Sequence, residues 1–359
     1  MTPLQKLEEL QIRSLRRHPL SIYRNLVIDT MNRSDIEGED NSLKKIQADY
    51  EKWFKEVPTP FQEPIFYKLL SNAFNRIKDI FEKDIIYINN RKFSYHKPPV
   101  YGSIHSKHYN AFITLVSGQP LIVFCEGLFE IADLLADVVS SKICVPKGDI
   151  EKNNQITKYF IDALISFLFF DTISKAKKRP SFFEEKEQIT ISTQLEGAYL
   201  LFIALHEYSH FLLGHLNGTN NSYLNVAGAK ESVKTLNKKQ EIDADELAAI
   251  ITMKDEKTTS DILVMGIYIF LNALQITEMR STSDYSTHPP SSVRKELLGR
   301  VLSQIYHNIH VVVLTDVIVE TLLRQYLMFV DHLEKINLKM IPENYESIQR
   351  LLYNEYEVS

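Results

Sequence analysis

The sequence predicts a mainly helical α+β fold with a small antiparallel sheet, and three observations carry that reading. Glycine is scarce, 11 residues in 359, which disfavours turn-rich sheet architectures. Apolar residues recur at three-to-four spacing through most of the chain, the period of helices with one buried face. Short β-branched and aromatic runs are confined to residues 85–126, so the sheet is small.

The elements follow in order. "LQKLEELQIRSLRR", "NSLKKIQADYEKWFKEV" and "EPIFYKLLSNAFNRIKDIFEKD" read as helices, with "VPTP" at 57–60 and "HKPPVYG" at 96–102 as punctuation. "IIYINN", "KFSYH", "AFITLV" and "LIVFCE" read as strands, the last two joined by the turn "SGQP" into a hairpin. After Gly127 the helical period returns in "LFEIADLLADVVSSK", "TKYFIDALISFLFFDTISKAKK" and "QLEGAYLLFIALHEYSHFLL". "NGTNNSY" at 217–223 is a polar break, followed by helices over "KKQEIDADELAAIITMK" and "DILVMGIYIFLNALQITEM". "RSTSDYSTHPPSS" is a loop whose Pro289 and Pro290 suit the start of the next helix. "HVVVLTDVIVETLLRQYLMFVDHL" is long and amphipathic. We expect an N-terminal helical region over 1–85, a core over 86–305 and a C-terminal helical region over 306–359.

Composition narrows the function classes. The chain is 44% hydrophobic and 24% charged, with a net charge of −5 and acids and bases mixed along its length. Nothing in that balance calls for a nucleic acid or an anionic membrane. Cys125 and Cys144 fit no zinc or redox spacing and read as reduced structural thiols. The first twenty residues are charged and periodic, unlike a secretory signal. The longest apolar run, "ILVMGIYIFLNAL" at 262–274, is shorter than the ~20 residues of a membrane span. The expectation is a cytoplasmic protein without membrane insertion.

"ALHEYSHFLLGHL" at 204–216 places polar groups on an otherwise apolar helix, where an unpaired buried cluster would cost several kcal/mol. His206 and His210 are four apart and point off one face. Two neutral imidazoles at that spacing suit zinc, and Glu207 can reach a water on the metal without filling its shell, the H-E-x-x-H arrangement of zinc peptidases. His215 lies nine residues beyond His206, about 180° round the helix, which keeps it off the same metal. A metzincin would need Gly and His where Leu213 and Leu216 stand. A catalytic zinc usually takes three protein ligands. "QEIDADELAA" offers Glu241 as the third, with Asp245 one turn on to orient a ligand histidine through its other nitrogen. Ala244, Ala248 and Ala249 would let that helix approach closely. "STHPPSSVRKEL" places His288 and Arg294 around a helix start, where a donor could stabilise an oxyanion. The "AFITLV" hairpin edge could pair with an extended peptide.

These segments together resemble the gluzincin metallopeptidases of the CaaX-prenyl-protease, HtpX and Oma group and their minimal soluble relatives. The ordered matches are "NAF" at 110–112, "GL" at 127–128, "HEYSH" at 206–210, "EIDAD" at 241–245 and "HPPSSVR" at 288–294, with "GH" at 214–215 as a further echo. The resemblance implies a zincin-like core, its sheet beside the H-E-x-x-H helix, over roughly residues 100–305. It implies one Zn2+ per chain held by His206, His210 and Glu241, and Glu207 as general base. His288 and Arg294 would work around the substrate carbonyl, and Asn110, Ala111 and Phe112 would meet a protein or peptide substrate. The absence of a membrane-span pattern separates the chain from the group's membrane-embedded members. A helix-rich chain of this kind also looks like the phage-exclusion Lit peptidases, which cleave a host translation factor. Two alternatives stand beside proteolysis by this site: a zinc-binding sensor or interaction protein on the same fold, and a Lit-like defence protease. The terminal helices could bind a partner protein.

Overall fold

The computed structural model describes residues 1–15, 52, 55–59, 61–84, 86–88, 91–106, 109–170, 185–217, 221–226, 229–234, 236–280 and 289–335. Among them the chain is mainly helical with little sheet, as its period and glycine content require. It divides into two compact units, one of Met1–Leu128 with Ile203–Leu247, the other of Phe129–Phe202 with Ala248–Ser359.

In the first unit, α1 (Pro3–Leu15) and α2 (Pro64–Lys83) accompany seven strands among the described residues. Proline at the first position pre-sets the helical φ of α2, and the Glu63 side chain accepts from the Ile65 N–H at 3.4 Å. Its apolar stripe Leu70, Ala73, Phe74, Ile77 and Ile80 is buried, the i, i+3, i+4, i+7 pattern of one helical face. The strands β1 (Ile86–Ile88) and β2 (Arg91–Phe93) form an antiparallel pair. A separate three-stranded sheet orders β3 (Val100–Ile104), β5 (Gln119–Cys125) and β4 (Ala111–Val116), with β5 central. β4 and β5 pair antiparallel across Ser117 and Gly118, whose φ values of 52° and 76° are the left-handed pair that a two-residue hairpin turn demands.

Because successive side chains in a strand face opposite ways, β5 buries both of its faces. Leu121, Val123 and Cys125 join Leu7 and Leu10 of α1 in one apolar cluster with Ile104 and Phe112. Phe124, on the other face, meets Phe74 of α2 edge-on at 6.4 Å, and Phe74 stacks on Tyr101 at 4.1 Å.

The sheet differs from expectation in one respect. β3 pairs with β5 in parallel, so the sheet is mixed rather than purely antiparallel. β3 follows Pro98–Pro99 and contains Gly102, which together read as a turn. The glycine is there for space: a Cβ at position 102 would lie 2.6 Å from Gln62 Oε1 and 2.7 Å from Leu7 Cδ2. A further antiparallel hairpin, β6 (Asn221–Val226) with β7 (Ala229–Lys234), occupies part of the region expected as a polar break.

The second unit is helical. It takes most of α3 (Glu126–Cys144), then α4 (Ile150–Phe170) and the first part of α5 (Lys186–Leu212). After the end of α6 (Lys238–Thr252) come α7 (Ser260–Arg280), α8 (Ser291–Ile305) and α9 (Ile309–Lys335). A Cβ at Gly266 of α7 would lie 2.6 Å from Ala198 Cβ and 2.7 Å from the Tyr199 backbone nitrogen. That contact sets how closely α7 and α5 pack. Polar ties join the other helices. Ser192 donates to Asp137 at 2.8 Å, and Lys295 bridges Asp316 at 2.9 Å and Asn272 Oδ1 at 2.9 Å. α8 begins where expected, and the carboxylate of Glu278 accepts from both the N–H and the hydroxyl of Ser291 at 2.7 Å. By length and composition α7 could cross a membrane, but 72% of its most apolar window is buried, the pattern of a core helix.

Candidate metal centre

Residues 204–210 are all buried because the helix around them is apolar on every side. Leu200 to Leu205 and Tyr208 are all at most 1% exposed. His206, Glu207 and His210 are accordingly 5%, 8% and 1% exposed. The rear of the helix is anchored in the same unit. Tyr208 donates its hydroxyl to the Lys97 carbonyl at 3.1 Å and meets Tyr95 edge-on at 5.4 Å. Arg91 of β2 donates to the Leu212 carbonyl at 2.9 Å, satisfying an acceptor left open at the helix end.

The second helix is started by a reciprocal cap. Asn237 Oδ1 accepts from the Gln240 N–H, and Gln240 Oε1 accepts from the Asn237 N–H, both at 3.0 Å, an Asn-x-x-Gln form of the capping box. This sets Glu241 in the first turn of α6 and Asp245 one turn later on the same face, 1% and 2% exposed. Ala244 between them is fully buried.

His206, His210 and Glu241 each bring one ligand atom within 4.8 Å of the others and could hold a metal ion. His206 Nε2 and His210 Nε2 are 3.3 Å apart. Glu241 places Oε2 3.5 Å from His206 Nε2 and Oε1 3.7 Å from His210 Nε2. Ligand atoms about 2.0–2.1 Å from a tetrahedral ion sit about 3.3–3.4 Å apart, so the three groups span one face of such a shell. Behind it, His206 Nδ1 lies 2.8 Å from Asp245 Oδ1. A proton on His206 Nδ1 would face that carboxylate and leave the lone pair on Nε2. Burial, with His206 adding to it, pushes the His210 pKa down to about 3. Its imidazole is neutral at neutral pH, the form that binds metals.

His215 departs from expectation. The helix stops at Leu212, and Gly214 takes φ +78°, the left-handed conformation typical just past a helix end. A short 3-10 turn over His215–Asn217 follows. The reversal carries the His215 ring back, so that its Nδ1 lies 3.0 Å from His210 Nδ1. Burial lowers the His215 pKa as well. On a continuing helix this residue would lie about 180° from His206. Gly214 is the signal against that continuation.

Other expected site residues are distributed as follows. Asn110 accepts from the Cys125 N–H through its backbone carbonyl at 2.9 Å. Ala111 and Phe112 open β4, an edge strand of its sheet, and the Phe112 side chain is part of the apolar cluster under α1. Arg294 lies in the second unit, 4% exposed, with its guanidinium 5.0 Å from the centre of the Phe270 ring. His288 lies outside the described residues. A groove of about 550 Å³ in the first unit is lined by Phe74, Phe81, Tyr95, His96 and Tyr101 among others, and by none of the three metal-type ligands.

Residues 135–304 match the family model described as Peptidase U49. The matched stretch is just under half of the chain and contains both the His206–His210 and the Glu241–Asp245 segments. No curated protein and no solved structure matches significantly. The match is to a peptidase family and supports proteolysis as the activity. Of the two resemblances drawn from the sequence it favours the Lit-type one, and the comparisons offer nothing for the CaaX-prenyl-protease, HtpX and Oma group.

Proposed function

We propose that the chain is a zinc-dependent endopeptidase acting on a protein substrate. The observation that carries this reading is the convergence of His206 Nε2, His210 Nε2 and a Glu241 oxygen with mutual separations of 3.3, 3.5 and 3.7 Å. With an acceptor behind His206 Nδ1, the Nε2 lone pairs and the carboxylate face a common point, and lone pairs in a dry interior repel unless a cation sits between them. Two imidazoles and one carboxylate match the ligand set of catalytic zinc with one position left open. A bound zinc would supply Lewis acidity to a peptide carbonyl and to an attacking water.

The chain's own groups do the remaining work. Glu207, one residue beyond the first ligand and outside the metal-type triad, accepts the proton of the attacking water and returns it to the departing amine. Asp245 holds His206 in the tautomer that presents Nε2. Arg294, His288 and the β4 edge at Asn110–Phe112 remain candidates for handling the substrate. The Peptidase U49 match supports a narrower version, in which the substrate is a host protein cleaved as in Lit-type peptidases.

The test is elemental analysis of purified protein beside His206→Ala and Glu241→Ala. One zinc per chain in the wild type, lost or much reduced in both variants, is the expected outcome. Folded wild-type protein that takes up no zinc when offered it would sink the metallopeptidase reading.

A further inference from the structure

We propose that His215 is a positioning residue for His210, holding that imidazole in the tautomer and orientation that bind the metal. The inference rests on the metal-binding reading above and adds a residue to it.

The two proposed ligand histidines are built alike from the front and differently from behind. Both present Nε2 to the same point, 3.3 Å apart. A neutral imidazole that binds through Nε2 carries its proton on Nδ1 and needs an acceptor there. For His206 the group behind Nδ1 is the Asp245 carboxylate, 2.8 Å away. For His210 the group at that position is Nδ1 of His215, at 3.0 Å, with ring centroids 5.2 Å apart. Two imidazole nitrogens at hydrogen-bond distance need one donor and one acceptor. His210 must donate if its Nε2 is to hold the metal, so His215 accepts at Nδ1 and carries its own proton on Nε2.

Charge explains an imidazole there rather than a second carboxylate. Glu207, Glu241 and Asp245 are already buried around the histidines. A further carboxylate behind His210 would add negative charge beyond what a divalent ion balances, at a steep desolvation cost. A neutral acceptor orients the ring without that cost. The turn that delivers it is specific. Gly214 at φ +78° permits the reversal, Leu213 N–H donates to the Ser209 carbonyl at 2.8 Å, and Gly214 N–H donates to the Phe211 carbonyl at 3.0 Å. The helix end and the rear partner of the second ligand are therefore one device.

The test compares zinc affinity and cobalt spectra in the full-length wild type, His215→Leu, His215→Asn and the control His307→Leu, an exposed imidazole. Zinc affinity is read by competition with a chromophoric chelator, and cobalt(II) reports the ligand field by its visible absorption. The asparagine variant would place an amide oxygen near the position of the lost Nδ1. We expect His215→Leu to keep its helical circular dichroism, to bind zinc about ten- to hundredfold more weakly, and to shift the cobalt bands. His215→Asn should recover most of the affinity, and His307→Leu should match the wild type. Wild-type affinity and an unshifted cobalt spectrum in His215→Leu would overturn the role of His215 while leaving the metal site intact. Loss of affinity that His215→Asn does not restore would also overturn it, because it would mark a packing role. A wild type that binds neither ion removes the metal reading itself, and this proposal with it.

Discussion

The first unit contains two buried polar clusters, and they are built on opposite principles. Around β3, Gln11 Nε2 donates to Gln62 Oε1 at 2.9 Å and to the Ser103 carbonyl at 2.8 Å. Gln62 Nε2 donates to Ser103 Oγ at 2.8 Å, the Ser103 N–H returns to Gln62 Oε1 at 2.9 Å, and Thr59 donates to Gln11 Oε1. Donors meet acceptors throughout, so the cluster is closed and its business is to hold α1, Thr59 and Gln62 onto the sheet. Around His206 and His210, two imidazole nitrogens and the Glu241 carboxylate converge on one point, 3.3 to 3.7 Å from one another. A polar network that is complete by itself is structural, whereas one whose lone pairs share an open focus calls for a ligand to complete it.

The comparison breaks most clearly at Glu207. If the open cluster is a catalytic metal site, Glu207→Gln should leave zinc stoichiometry at the wild-type value and reduce peptide-library hydrolysis by about 10²–10⁴-fold. Wild-type hydrolysis in that variant would remove Glu207 from the mechanism. A zinc site that survives beside a wild type with no hydrolysis of any peptide or protein offered would favour a metal-binding sensor. The next effect is smaller. Asp245→Ala takes the acceptor from His206 Nδ1, and zinc affinity should fall by about 10–100-fold in a chelator competition assay. Unchanged affinity would mean that the 2.8 Å contact does no orienting.

How much of this was legible beforehand follows from the range of the signals involved. Local ones were read correctly. Three-to-four spacing found the helices of the described residues, while the one expected over "NSLKKIQADYEKWFKEV" lies largely outside them; "SGQP" found the β4–β5 turn, and the four-residue steps His206–His210 and Glu241–Asp245 put each pair on one face. The signals that failed are ones where a tertiary contact overrides a local preference. β3 carries Gly102 because a neighbouring glutamine and leucine crowd it, and a strand with glycine after two prolines looks like a turn. The hairpin 221–234 lacks the apolar alternation that marks a half-buried strand. His215 was misplaced because its position depends on where the helix stops, and helix ends are less legible than helix existence. Glu278 capping α8 from another helix has no signature in the sequence near Ser291.

The closed cluster supplies the smallest effects and the sharpest contrast. Gln62→Leu removes the acceptor of the Ser103 N–H and of one Gln11 hydrogen bond at once, and a stranded buried donor costs about 1–3 kcal/mol. Urea unfolding should show that loss, with zinc stoichiometry and affinity unchanged. Ser103→Ala should cost less, about 1 kcal/mol, because Gln62 Nε2 keeps its 3.1 Å bond to the Glu63 carbonyl and the backbone bonds of Ser103 are untouched. The order of the two losses is itself diagnostic. If Ser103→Ala destabilised as much as Gln62→Leu, the network would depend on the hydroxyl rather than on the paired amides. If either variant weakened zinc binding, the two clusters would be coupled, and the division between a structural and a metal-holding polar core would have to be given up.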